Sequence, residues 1–133
     1  MKIKVSDIEK VFLLKSVKPF DKLDERTLFN LASVMTLTYY EANKLVMDSQ
    51  TVFNEVVIVV DGVCRTESGN QIFLAGIHSV LEDSVIGECI YTGNDDAKCL
   101  RIGKGHFLTM IYECPFILVD LIRLRHENPN YCL

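Results

Sequence analysis

The chain has 133 residues, 49% hydrophobic and 24% charged, which is the size and composition of one globular domain. No stretch approaches roughly 18 uncharged apolar residues, so a membrane span is excluded, and the charged N-terminus lacks a signal peptide's apolar core. The net charge of −4 disfavours a dedicated nucleic-acid binder, which usually carries a basic patch.

The cysteines number five, and no two of them form a CxxC pair. An odd number without a secretion signal predicts reduced thiols, and we expect a cytoplasmic protein. A zinc site would need clustered Cys and His ligands, whereas the nearest cysteines, Cys89 and Cys99, are ten residues apart.

The N-terminal zone, 1–35, predicts two helices. Val5, Ile8 and Val11 follow one another at helical spacing, and Pro19 ends that segment. Asp24 is then expected to cap a second, amphipathic helix over 24–35, with an acidic first turn.

The middle zone, 36–102, predicts a series of short strands. Residues 36–40 are rich in β-branched and aromatic side chains, and 52–60 form an apolar run typical of a buried strand. Asp61-Gly62 and Ser68-Gly69-Asn70 predict tight turns. We also expect strands at 44–47, 63–67, 71–76 and 97–102, and this spacing indicates a sandwich, a roll or a small barrel.

The C-terminal zone, 103–133, predicts two more helices. One covers 106–112, and a longer one covers 116–126, with Pro115 suited to its first turn. The three zones together form a single domain, 1–133.

In addition to the order of these elements, three local stretches of the sequence resemble a known family. The stretch from Leu13 to Ala32 (LLKSVKPFDKLDERTLFNLA), the hairpin EVVIVVDGVCR at 55–65 and Val85-Ile-Gly-Glu88 resemble cyclic nucleotide-binding domains of the catabolite-activator and kinase-regulatory-subunit type. The resemblance implies a mainly β fold, a jelly-roll-like β-roll (double-stranded β-helix) with flanking helices.

The same resemblance implies where a nucleotide would bind. Gly87 and Glu88 are similar to the start of the family's phosphate-binding cassette. There the glutamate accepts from the ribose, backbone amides face the phosphate, and an arginine in an Arg-Ser/Thr-Ala sequence pairs with its charge. No such sequence follows here; Lys98 and Arg101 are the remaining cations, and Asp95-Asp96 would repel a phosphate. We therefore expect a degenerate cassette.

The cassette is also expected to be short. Only nine residues lead from Lys98 to Phe107, where relatives fit two strands. This predicts the loss of about one strand, and it leaves open which strand of the family the segment 97–102 represents.

Three functions follow as hypotheses. The first is a non-enzymatic regulatory or interaction module with impaired or lost nucleotide binding, which contacts a protein partner or second protomer through the C-terminal helix. The second is a genuine cAMP or cGMP sensor that uses Glu88 with Lys98 or Arg101. The third is a small cupin-like metalloenzyme, which the absence of any HxH or HExxH motif disfavours.

No cofactor is predicted outright; a cyclic nucleotide is the ligand that the resemblance leaves open. Nucleic-acid binding is not expected, because the helix-turn-helix domain of the catabolite-activator type has no counterpart in these residues. Membrane binding is not expected either, because no long apolar stretch is present.

Overall fold

The computed structural model describes residues 7–128, which fold into helices at both ends and strands between them. The predicted helical position Val5 and the two ends of the predicted zones, 1–6 and 129–133, lie outside these residues. The helices are α1 (Asp7–Lys15), a 3-10 turn (Phe20–Lys22), α2 (Glu25–Ser33), α3 (Ile77–Glu82), α4 (Lys104–Glu113) and α5 (Pro115–Glu127). The strands are β1 (Thr36–Tyr40), β2 (Leu45–Met47), β3 (Glu55–Asp61), β4 (Cys64–Thr66), β5 (Gln71–Ile72), β6 (Leu74–Ala75), β7 (Ile90–Thr92) and β8 (Ala97–Gly103).

The strands form two antiparallel four-stranded sheets. Sheet A has the order β1-β8-β3-β6, and sheet B has the order β2-β7-β4-β5. Two sheets of four strands make a complete jelly roll. The prediction of a lost strand is therefore wrong: β7 is present and begins two residues after Glu88.

The helix starts follow from local chemistry. Asp24 caps α2, since its carboxylate accepts the backbone N–H of Thr27 at 2.7 Å. Pro115 occupies the first turn of α5, where its missing N–H costs no hydrogen bond. Both positions were predicted from the sequence, and both are confirmed. No helix in the span 7–128 is long and apolar enough to cross a membrane.

Side chains of sheet A alternate between two cores. On β8, Leu100 and Ile102 face the helices and belong to an outer core, whereas Ala97 and Cys99 point between the sheets. The inner core between the sheets consists of Met47, Val57, Cys64, Ile72, Ala75, Ile86, Ile90, Ala97 and Cys99. β8 contributes to both cores and pairs with β1 and β3, so it is one of the two interior strands of sheet A.

Three elements were not predicted, the 3-10 turn at Phe20–Lys22, α3 and β7, and one predicted strand is divided. The segment 71–76 is two strands, β5 and β6, interrupted at Phe73. Helix α3 and strand β7 were missed because six and three residues are too few to establish a hydrophobic period.

Candidate functional site

The connection from β6 to β7, residues 76–89, is the candidate site, and we call it the cassette segment. It opens at Gly76, which has φ of 92° and lies so close to β3 that a Cβ would meet the carbonyl oxygen of Glu55 at 2.4 Å. Only glycine fits there. Helix α3 follows, and Asp83 ends it in the left-handed region, with its N–H donating to the Ser79 carbonyl.

Because the cassette segment runs from β6 to β7, Gly76 and Ile77 lie at its start, and Gly87 and Glu88 lie near its end. Gly87 has φ of 87°, and its N–H donates to the Ser49 carbonyl at 3.3 Å. The assignment of Glu88 to a ribose contact stays a prediction. In the structure its carboxylate instead accepts from Ser68, whose hydroxyl lies 2.7 Å and whose N–H lies 3.3 Å from Oε1.

A second carboxylate holds the same corner. Oε1 of Glu67 accepts the N–H of Cys89 at 2.7 Å, and the N–H of Glu67 donates to the Cys89 carbonyl at 3.1 Å. We call Glu67, Ser68, Glu88 and Cys89 the carboxylate cluster. It ties the end of the cassette segment to the β4–β5 turn, and it brings two negative charges to that point.

Sequence reasoning missed Glu67 and Ser68. The turn at Ser68-Gly69-Asn70 was predicted and is present. The prediction did not assign this turn to the candidate site. Its contact with Glu88 depends on the pairing of β4 with β7, which places Thr66 opposite Ile90. An acid just before that turn is the one signal in the sequence that could have indicated the cluster.

The cassette segment also fills the roll. Ile86 is only 8% exposed and packs in the inner core with residues of both sheets. The Cε of Met47 lies 3.4 Å from the position that a Cβ on Gly76 would take, so the space behind the opening glycine is occupied as well. The region between the sheets is therefore packed by the protein's own side chains.

The two predicted cations do not converge on one site. Lys98 faces the helices and lies 5.2 Å from the ring centre of Tyr39. Arg101 points between the sheets, where it donates to the Glu55 carboxylate and lies 5.4 Å from the ring centre of Tyr40. Because they occupy opposite faces of β8, one ligand cannot contact both.

The charge of Arg101 is already compensated. Its side chain is 17% exposed, burial lowers the pKa of its guanidinium, and Glu55 supplies the opposite charge. A guanidinium in such a pair serves an anionic ligand only if the pair is first broken.

The acidic pair Asp95-Asp96 lies in the β7–β8 turn, so its expected place within the cassette is wrong. Asp96 accepts the N–H of Ala42 at 3.0 Å and holds the loop after β1. Asp95 lines an open cavity of about 330 Å³ together with Arg65 and Thr92.

Within residues 7–128, no group of three or more His, Cys, Asp or Glu side chains is arranged to hold a metal ion. His78, on α3, is 3.3 Å from Glu82 on the same helix.

The two sheets and flanking helices define the class of the fold, that of cyclic nucleotide-binding domains, as predicted. No family model and no curated protein matches the chain. Solved structures do, at identities that concern the fold alone.

A cAMP-bound structure of PfPKA-R is 12% identical with a TM-score of 0.73, covering 91% of this chain and 45% of that one. The Trypanosoma cruzi regulatory subunit of a cAMP-independent protein kinase A, bound to guanosine, is 14% identical with a TM-score of 0.66, covering 96% and 47%. The Thermus thermophilus catabolite activator protein is 17% identical with a TM-score of 0.65, covering 81% and 56%. The chain thus spans about half the length of these relatives.

Proposed function

We propose that this domain is a non-enzymatic regulatory module whose cassette segment does not bind a cyclic nucleotide, and which acts by packing against another domain or a second protomer. The observation that carries the proposal is the carboxylate cluster, because it engages the donors at the end of the cassette segment.

A cyclic phosphate needs free backbone N–H groups and a cation. Here the N–H of Cys89 is taken by Glu67, and the carboxylate of Glu88 lies at the end of the cassette segment, directly before β7. A phosphate at this corner would meet two carboxylates, those of Glu67 and Glu88. The contact is thus unfavourable by charge and by hydrogen bonding together.

The remainder of a nucleotide has no better fit. Ile77 follows the opening glycine, and its apolar side chain offers no acceptor for a ribose hydroxyl. A base entering the roll would have to displace Ile86 from the inner core. Expelling a buried side chain of that size costs about 1.5–3 kcal/mol before any contact is gained.

The C-terminal helix supplies the surface for a partner. On α5, Val119 and Ile122 are each 62% exposed and Phe116 is 42% exposed. Between α5 and α3 lies a groove of about 270 Å³ lined by Leu81, Leu118 and neighbouring side chains. Apolar surface left open in this way is typical of a protein–protein contact.

The sensor alternative, in which Glu88 acts with Lys98 or Arg101, makes the opposite prediction for a titration. We expect isothermal titration calorimetry of the full chain with cAMP and cGMP to give no heat of binding up to millimolar ligand. A parallel titration with guanosine, which carries no phosphate, distinguishes a site that excludes the phosphate from a site that excludes the base.

Micromolar binding of either cyclic nucleotide would overturn the proposal. In that case three variants assign the contacts. A loss of affinity in Glu88→Ala and Lys98→Ala supports the Glu88–Lys98 sensor, and a loss in Glu88→Ala and Arg101→Met supports the Glu88–Arg101 sensor. Circular dichroism of each variant controls for folding.

A further inference from the structure

Two thiols face each other across the roll interior. Cys64 projects from β4 of sheet B and Cys99 from β8 of sheet A, both are fully buried, and both belong to the inner core. The two thiols are close enough for each to shift the pKa of the other. Neither residue is used by the proposed function.

Their placement suits a covalent link. Disulfides join the two sheets of β-sandwiches across the same kind of interior, so the inter-sheet distance is no obstacle in this architecture. In a disulfide the two sulfur atoms lie about 2.05 Å apart, so the two side chains must move together to form the bond. Thr38, the cross-strand neighbour of Cys99, adds a buried hydroxyl that lacks a hydrogen-bond partner, so the surroundings are not wholly apolar.

We infer that Cys64 and Cys99 are a redox-active dithiol that closes to an inter-sheet disulfide on exposure to a hydroperoxide. The inference depends only on these two side chains, and it stands whether or not a cyclic nucleotide binds.

The chemistry balances with hydrogen peroxide as oxidant. The Cys64 thiolate attacks one peroxide oxygen, the O–O bond breaks, and hydroxide leaves to take up the thiol's proton as water, which gives a sulfenic acid. The Cys99 sulfur then attacks the Cys64 sulfur, the S–O bond breaks, and a second water leaves with the Cys99 proton. Two thiols are oxidised to one disulfide, and one peroxide is reduced to two waters.

The two thiols differ in acidity. Their interaction lowers the pKa of Cys64, whereas the same interaction and burial raise the pKa of Cys99. We therefore write Cys64 as the attacking thiol and Cys99 as the resolving thiol.

Burial sets the rate and the product. Neither thiol is exposed, so peroxide reaches them only in brief openings of the roll, and the reaction is slow. Once Cys64 is oxidised, the neighbouring thiol resolves the sulfenic acid before a second peroxide arrives. The expected product is therefore a disulfide and not a sulfinic acid.

The test uses the full chain and a Cys89→Ser/Cys114→Ser/Cys132→Ser variant, in which Cys64 and Cys99 are the remaining thiols. Each is treated with hydrogen peroxide in native buffer, unfolded, alkylated and mapped by mass spectrometry. We expect a Cys64–Cys99 linked peptide in both proteins, with both thiols blocked to alkylation and restored by dithiothreitol. The oxidised variant should also show a higher urea midpoint than the reduced one.

Cys64→Ser and Cys99→Ser, made separately, should abolish the linked peptide. Circular dichroism shows whether each variant has folded. The inference is overturned if the folded triple variant keeps two alkylatable thiols after peroxide, or gains oxygen on sulfur without linking. It is equally overturned if the disulfide forms but lowers the urea midpoint, because the bond would then be incompatible with the native roll.

Discussion

Gly76 shows how one residue sets the start of the cassette segment. Gly76 and Gly69 have nearly the same φ, 92° and 90°, but a Cβ at Gly69 would meet nothing within 4 Å. Gly69→Ala is therefore expected to lower the free energy of unfolding by about 1 kcal/mol, the cost of the left-handed conformation. Gly76→Ala adds the collision with the Glu55 carbonyl and should cost about 3 kcal/mol or more.

Urea unfolding of the two variants measures this difference. The Gly69 variant is the matched control, because it shares the backbone conformation without the close approach. Equal losses in both would show that β3 shifts to accept the extra carbon.

At the scale of single residues, the role of a side chain can be predicted from the sequence when its partner lies close to it along the chain. The cap at Asp24 acts three residues along the chain, so it can be predicted from local chemistry. The contacts of Glu88 with Ser68 and of Cys89 with Glu67 span 20 and 22 residues, so they depend on strand pairing and could not be predicted.

Among the elements, α2 offers a test of capping that depends on pH. The Thr27 N–H lowers the pKa of the Asp24 carboxyl, so the charged form is favoured in the folded state. A carboxyl with a lowered pKa stabilises the fold above its ordinary pKa, and the contribution is lost as the pH falls through the folded value. Asn caps helices nearly as well but does not titrate.

This prediction is checked by measuring the unfolding midpoints of Asp24→Asn and of the wild type from pH 7 down to about pH 2.5. The wild type should be the more stable at pH 7, and its advantage should disappear at the acid end. An advantage that is constant across this range would show that the carboxylate charge is not involved.

Elements with several turns or a long apolar run could be predicted, and short ones could not. Helices α2 and α5 and strand β3 all fall close to their predicted positions. Helix α3 forms although it has only one and a half turns, because Ile77 and Val80 pack into the outer core. Tertiary contact, which no local pattern reveals, thus decides the structure of the cassette segment.

For the whole molecule, the position of β8 predicts that the fold unfolds in a single cooperative transition. Leu100 is fully buried in the outer core, while its neighbour Cys99 is fully buried in the inner one. Leu100→Ala should lower the free energy of unfolding by about 3 kcal/mol. Because both cores share this strand, hydrogen exchange should accelerate equally in α2 and in sheet B, which Leu100 does not face.

Native-state hydrogen exchange followed by mass spectrometry provides the measurement. Faster exchange in α2 and unchanged exchange in β4 and β7 would contradict the prediction and would divide the domain into two independently stable parts.

The architecture as a whole was predicted from element order, but the number of strands was not. The count failed because β5 and β6 have two residues each and β7 has three, so a complete jelly roll fits into fewer residues than strands of ordinary length need.

The position of β8 also has a consequence for biosynthesis. Strand β1 pairs with β8, and the whole segment 41–96 separates them along the chain. Ribosomes add about 5–20 residues per second, so β1 waits several seconds for its partner during synthesis. Throughout that time its backbone hydrogen-bonding groups and the apolar side chain of Leu37 are available to other nascent chains. The hydrogen bonds between β1 and β8 can therefore be completed only after residue 103 has left the ribosome.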